Sequence, residues 1–198
     1  MTERLARMVP SSLSDVQRSL YDSILEGPRT KVQQFPLTAP DGSLNGPFGL
    51  MLWVPRLGKP LQALGAELRY GTSLSARVRE IAILAVARAT RSSYETYAHE
   101  IVGRSVGLTD GEVRALRLGQ FEPKDPKEAC VVRLCTELAA QPIVQDSLFD
   151  EAAVQFAPTQ ILEIVVLAGY YRTIAQMMAI CGVSADPTPD IVDTRSGI

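Results

Sequence analysis

Apolar positions recur every three or four residues over most of the chain, which is the spacing of one face of an α-helix. Proline, glycine and N-cap residues punctuate these runs at helix ends. The pattern predicts a short helical segment from residue 48 and longer helices over about residues 15–25, 61–70, 76–89, 94–106, 110–118, 126–139, 147–156 and 158–180. No segment shows a convincing strand pattern. The prediction is therefore an all-α fold of about eight helices.

Three local signals refine this prediction. The helix over residues 76–89 has almost no polar face, so we expect it at the centre of the fold. Pro60 is predicted to open the helix over residues 61–70. Residues 29–48 are rich in proline and glycine and are predicted to be an extended or looped segment, with room for a short hairpin around Asp41-Gly42.

Length and composition limit the function classes. The chain has 198 residues, which is compatible with one domain over 1–198 and with a substantial core. Its formal net charge of −2 argues against a nucleic-acid partner. We find no apolar run long enough to span a membrane and no signal-peptide pattern near Met1, so a cytoplasmic protein is expected. The three cysteines, Cys130, Cys135 and Cys181, show no CxxC spacing and are expected to be buried free thiols.

The main chemical signal surrounds His99, which is the single histidine of the chain. One histidine cannot form a set of histidine metal ligands, so we expect acid–base chemistry and no metal. Glu95 precedes His99 by four residues, and Ser92 precedes Glu95 by three, so all three share one helical face. Tyr94 and Tyr97 flank this stripe. A simple surface ion pair between Glu95 and His99 is the alternative.

Glu80 is the third candidate acidic or basic group. It lies in the apolar helix over residues 76–89, where a carboxylate is unusual. The alternative is a helix-end carboxylate that pairs with Arg77 or Arg79. Residue spacing cannot show whether Glu80 meets His99, because the two lie on different predicted helices.

Three segments carry a resemblance to a known family: Arg79-Glu80-Ile81-Ala82-Ile83-Leu84, Ser93-Tyr94-Glu95-x-Tyr97-x-His99 and Gly107-Leu108-Thr109-x-x-Glu112-Val113. Together they resemble the carboxymuconolactone decarboxylase family, which is allied to the alkyl hydroperoxidase D-like proteins. The resemblance covers roughly residues 45–182 as a core. It leaves residues 1–44 as an N-terminal helix and loop extension and 183–198 as an extended tail. The implied fold is an oligomeric alkyl hydroperoxidase D-like helical domain.

The resemblance also defines which branch of the family to expect. The peroxidase branch has a glutamate, eleven residues, a CxxC pair, three residues and a histidine. Glu80 and His99 match the glutamate and the histidine, but the two cysteine positions are Ser92 and Glu95. Because a thiolate is the attacking species in that redox cycle, thiol peroxidase activity is disfavoured.

The non-redox branch implies a cofactor-independent reaction on a small carboxylated lactone or keto acid, such as decarboxylation. His99 is then the proton donor or shuttle, Glu95 sets its tautomer, and Glu80 completes the relay. The implied substrate-binding residues are Ser92, Tyr94 and Tyr97, Arg79 (or Arg77 or Arg91) for a carboxylate, and Trp53 with Phe48 as pocket walls. A homotrimer or homohexamer is the implied assembly. The competing hypothesis is a non-catalytic, ligand-binding oligomer.

Overall fold

The computed structural model describes residues 3–27, 35–141 and 143–185. This part of the chain forms nine α-helices and no strand, so the all-α prediction is confirmed. The helices are α1 Asp15–Leu25, α2 Pro47–Met51, α3 Pro55–Tyr70, α4 Ala76–Ala89, α5 Ser93–Ser105, α6 Asp110–Leu118, α7 Pro126–Ala140, α8 Asp146–Gln155 and α9 Pro158–Cys181. A single 3₁₀ turn, Pro10–Ser12, precedes α1.

Helix α4 is the centre of the fold, as its apolar sequence predicts. It packs against α5, α6, α7 and α9, and its residues from Ile81 to Ala87 are all buried. Ser75 begins the helix, and its side chain accepts a hydrogen bond from the backbone N–H of Val78. Because α4 is surrounded by other helices, its Glu80 side chain is buried inside the core.

The helix ends follow the local chemistry of the sequence. The hydroxyl of Thr109 accepts from the backbone N–H of Glu112, whose carboxylate accepts from the backbone of Thr109, as a capping box requires. Asp125 caps α7 through the N–H of Lys127. Gly182 ends α9 with a φ of 71°, a left-handed conformation that glycine adopts without a steric penalty.

The predicted start of α3 is wrong. The helix begins at Pro55 rather than at Pro60, which lies inside it. Proline at N1 suits the first turn, whereas Pro60 removes one backbone donor from the second turn on an exposed face. Gly58 in the first turn allows close packing: a Cβ there would lie 2.8 Å from Leu20, so α3 sits directly on α1.

The loop before α2 contains the predicted short hairpin. Thr38 and Leu44 form an isolated antiparallel bridge, and the N–H of Ala39 donates to the carbonyl of Ser43 at 2.8 Å. Gly42 lies in the turn with a φ of +81°. Residues 29–34 of the predicted loop, and residues 186–198 of the predicted tail, lie outside the described residues.

Helix α9 is, among the described helices, the one long and apolar enough to cross a membrane by length and composition. A core helix has the same composition, and α9 packs against α2, α3, α4, α7 and α8. Its buried face includes Ile164, Leu167, Tyr171 and Ile174. Within this structure α9 is a core helix of the bundle.

Candidate active site

Glu80 on α4 and His99 on α5 meet inside the core. Glu80 Oε2 lies 2.6 Å from His99 Nδ1, and the two residues are 1% and 3% exposed. Of the two arginines considered as partners of Glu80, Arg77 binds Glu112 and Glu128 instead, whereas Arg79 Nε lies 3.9 Å from Glu80 Oε1. The packing of α4 against α5 brings together two side chains that no local pattern connects.

Glu95 contacts the other side of the imidazole ring. Its Oε2 lies 3.3 Å from His99 Nε2, and Glu95 is 4% exposed. The alternative of a surface ion pair is therefore contradicted by burial. The three side chains form a row, Glu80–His99–Glu95, in which each imidazole nitrogen faces one carboxylate. The shorter contact is to Glu80, so Glu80 rather than Glu95 is the group that orients the ring.

The row raises the pKa of His99. Burial by itself lowers it, but the charge of Glu80, the hydrogen bonds from the ring to Glu80 and Glu95 and the charge of Glu95 together outweigh burial. The net direction is upward from the ordinary value of 6.5. A buried imidazolium that donates to two carboxylates is the form that this geometry favours.

Tyr171 and Arg69 are two neighbours that sequence reasoning missed. The ring of Tyr171 stands edge-on to the imidazole of His99, with 5.1 Å between the ring centroids. Burial raises the pKa of Tyr171, which keeps its hydroxyl protonated. Arg69 is half-buried, and its charge interacts with Tyr171, Glu80 and Glu95. Two features of the sequence could have indicated them: Tyr171 is a tyrosine within the very apolar α9, and Arg69 is an arginine at the end of α3.

Ser92, Tyr94 and Tyr97 lie at the start of α5, beside Glu95. Ser92 is 8% exposed and occupies the N-cap position, but its side chain makes no capping hydrogen bond. Tyr94 is equally buried, and its hydroxyl has no hydrogen-bond partner in the described part of the chain. Its ring packs on Gly46, where a Cβ would lie 2.2 Å away. Tyr97 is half-buried.

The arginines considered for a substrate carboxylate lie in three different environments. Arg77 is engaged with Glu112 and Glu128. Arg91 is exposed at the corner between α4 and α5, with a φ of 54°. Arg79 lies beside the row: its Nε is 3.9 Å from Glu80 Oε1 and is buried without a hydrogen-bond partner.

Trp53 and Phe48 lie in different environments. Trp53 is 43% exposed and lines a small cavity together with Arg7 of the N-terminal arm and Gly46. Phe48 is buried in the core. Glu80, Glu95 and His99 are all less than 5% exposed. The row is therefore closed from solvent in this conformation.

The cysteines are free, as expected. Cys130 and Cys135 are buried on α7, and Cys181 ends α9. Burial is the main cause that raises the pKa of Cys130, to about 11. A thiol of this kind is protonated at neutral pH and is a poor nucleophile.

Comparison with solved structures defines the class of fold. The structure resembles the alkylhydroperoxidase AhpD core of an uncharacterized peroxidase-related protein from Ralstonia eutropha, with a TM-score of 0.72 and 14% identity over 94% of this chain and 93% of that one. It also resembles a protein of unknown function from Agrobacterium tumefaciens that is described as a candidate antioxidant defence protein AhpD. That likeness has a TM-score of 0.60 and 15% identity over 70% of this chain and 97% of that one. At this identity the likeness shows the fold alone.

A family model matches part of the sequence. Residues 55–134 match the model of the Carboxymuconolactone decarboxylase family. No curated protein matches the chain. The segment is therefore similar in sequence to that family, and the described fold is similar to AhpD-like structures. The matched segment runs from α3 to α7 and contains Glu80, Glu95 and His99.

Proposed function

We propose that the chain is a cofactor-independent acid–base enzyme that acts on a small carboxylated lactone or keto acid. The observation that carries the proposal is the buried row Glu80–His99–Glu95, with contacts of 2.6 Å and 3.3 Å to the two nitrogens of one imidazole ring. A histidine between two carboxylates is able to move a proton from one side of its ring to the other. The match of residues 55–134 to the Carboxymuconolactone decarboxylase family model supports the same class of chemistry without specifying the substrate.

The roles within the row follow from the two contacts. Glu80 holds Nδ1 and is the positioning residue for the ring. His99 is the shuttle, because both of its nitrogens are occupied by carboxylates. Glu95 lies at the start of α5 beside Ser92 and Tyr94, and it would exchange the proton with the substrate. In the prediction from sequence, Glu95 set the tautomer of His99 and Glu80 completed the relay. The proposed assignment exchanges these two roles.

The reaction needs no external electron acceptor. When the carbon–carbon bond to the carboxylate breaks, carbon dioxide leaves and the electron pair passes into the substrate's lactone or keto carbonyl. Glu95 then takes a proton from the His99 imidazolium and passes it to the enolate carbon. Because decarboxylation consumes one proton, solvent returns one proton to His99 after each turnover. The unpartnered hydroxyl of Tyr94 would donate to the enolate oxygen, and Arg79 would hold the departing carboxylate. Tyr97, Ser92 and Trp53 remain candidates for substrate contact.

A ligand-binding role without catalysis is the second candidate function. It is favoured by one observation: Glu80, Glu95 and His99 are 1%, 4% and 3% exposed, so the row is closed from solvent. Under this hypothesis the row is a structural core of the family fold. Thiol peroxidase chemistry has no support, because positions 92 and 95 are serine and glutamate.

The test is carbon dioxide release from a panel of carboxylated butenolides and β-keto acids. We expect turnover by the wild type and a loss of about 10²–10⁴-fold in Glu95→Gln and His99→Gln, the usual contribution of general acid–base catalysis. Arg114→Gln, an exposed change on α6, is the control and should retain full activity. Saturable binding of panel members without turnover would favour the second candidate function.

We propose a homo-oligomer, a trimer or hexamer, as the working assembly in the cytoplasm. Four apolar side chains of α9 are strongly exposed in the single chain: Leu162, Val165, Val166 and Ile180. A contiguous apolar face of this kind suits contact with another copy. Sedimentation equilibrium of the wild type and of Val166→Glu tests the proposal, since the variant should dissociate the assembly. A monomeric wild type would refute it.

A further inference from the structure

A second cavity lies at the far end of α4 from Glu80, bounded by α6, the segment after it and α7. Its volume is about 260 Å³, near the lower limit for small-molecule sites. Most of its wall is apolar and comes from Ala85, Leu116, Phe121 and Val132. An apolar chamber of this size with a few polar groups has the composition of a ligand site rather than of a packing defect.

Arg88 supplies a cation at this cavity. Its guanidinium lies directly on Gly119, where a Cβ would be 2.1 Å from Arg88 Nη2. The side chain of Arg88 takes part in no hydrogen bond or ion pair within the described part of the chain. Its N–H edge is available to a carboxylate, the group that guanidinium binds with two parallel hydrogen bonds.

Glu137 supplies an acceptor at the same cavity. It lines the wall, and its Oε2 is buried without a hydrogen-bond partner. The nearby Arg133 does not neutralise it, because Arg133 pairs with Glu151. Arg88 does not form an ion pair with it either. A buried carboxylate oxygen without a donor is costly, and such a group in a native fold calls for an explanation.

We propose that this cavity binds a small carboxylate that has an apolar body and a hydrogen-bond donor at its far end. The ligand carboxylate pairs with Arg88, the apolar body lies against Leu116, Phe121 and Val132, and the donor reaches Glu137. One ligand then pairs with the exposed guanidinium of Arg88 and supplies the donor that the buried Glu137 oxygen lacks. The site is separate from the row Glu80–His99–Glu95, so the inference does not depend on the proposed function.

The first experiment uses 4-hydroxybenzoate as the probe. Calorimetry and NMR titration of the wild type should show saturable binding with one site, and the resonances of Ala85 and Phe121 should shift. Benzoate lacks the donor and phenol lacks the carboxylate, so each should bind roughly tenfold more weakly or worse. Absence of saturable binding, or equal affinity for all three compounds, overturns the proposal.

Three variants locate the site. Arg88→Gln and Glu137→Met should each weaken 4-hydroxybenzoate binding by roughly tenfold, and the control Arg114→Gln should not change it. Val132→Phe fills the cavity without touching either polar group and should abolish binding while the fold is retained. The proposal fails if binding survives Val132→Phe, or if His99→Gln removes it instead.

Discussion

Glu80 and His99 are separated by 19 positions in the sequence, yet their side chains meet at 2.6 Å in the core of the fold. Each residue would be unfavourable there alone, since a buried charge without a partner is costly. Together with Glu95 they form a set whose polar atoms satisfy one another. The chemistry of this protein is therefore tied to the packing of α4 against α5.

The pKa of His99 should depend more on Glu80 than on Glu95. We expect Glu80→Gln to lower it further than Glu95→Gln does, because the contact of Glu80 is the shorter of the two. NMR titration resolves the signal directly, as the chain has one histidine. A pKa of about 6.5 in the wild type, unchanged in both variants, would show a solvated residue and contradict the buried row.

The stability of the fold should fall as the pH rises above 6.5. The folded protein holds the His99 proton more tightly than the unfolded chain does, so this contribution is complete below 6.5 and is lost as the pH rises through the folded pKa. Urea unfolding at a series of pH values measures the slope. In His99→Gln that part of the slope should disappear, whereas a retained slope would assign it to other groups.

Tyr94→Phe should leave stability unchanged or raise it by about 1 kcal/mol, because the hydroxyl is buried without a partner. The same change should reduce turnover if Tyr94 donates to the enolate oxygen. Thermal unfolding and the carbon dioxide assay separate the two effects. Loss of stability in Tyr94→Phe would mean that the hydroxyl is bonded in solution and is unavailable to a substrate.

Gly46→Ala is expected to destabilise the fold by about 2–4 kcal/mol. Its φ of 59° is strained for alanine, and the new Cβ would lie 2.2 Å from the Tyr94 ring. Chemical unfolding measures the loss. Gly111→Ala, where a Cβ meets nothing closer than 3.9 Å, is the matched control and should be nearly neutral. Equal effects of the two changes would contradict the close packing of Gly46 on Tyr94.

Arg77→Gln should cost about 2–3 kcal/mol, since it leaves the buried carboxylate of Glu128 without its partner while Arg77 itself is partly exposed. The pKa of Glu112, which hydrogen bonds from Arg77 and Thr109 hold at about 2, should move back toward 4.5. Urea unfolding and carboxyl NMR check the two effects. Arg114→Gln should change neither quantity.

Much of the fold was predictable because its signals are local. The capping box at Thr109 and the glycine at position 182 act within one turn of backbone, so their effect does not depend on the rest of the molecule. The start of α3 was not predictable. Pro55 and Pro60 are both acceptable at the first turn by sequence, and in the fold the turn that begins at Pro55 packs on α1 through Gly58 and Leu20.

The candidate site was also predictable only in part from the sequence. Glu95 and His99 share a helix, so their spacing of four residues already implies contact. Three other features depend on how the helices pack. Glu80 joins the pair from α4, Tyr171 contacts the imidazole ring from α9, and Arg77 binds Glu128 instead of Glu80. Sequence periodicity describes each helix about its own axis and contains no distance between two helices. The two carboxylates that raise the pKa of His99 against the effect of burial come from different helices, so the raised pKa exists only once those helices have come together.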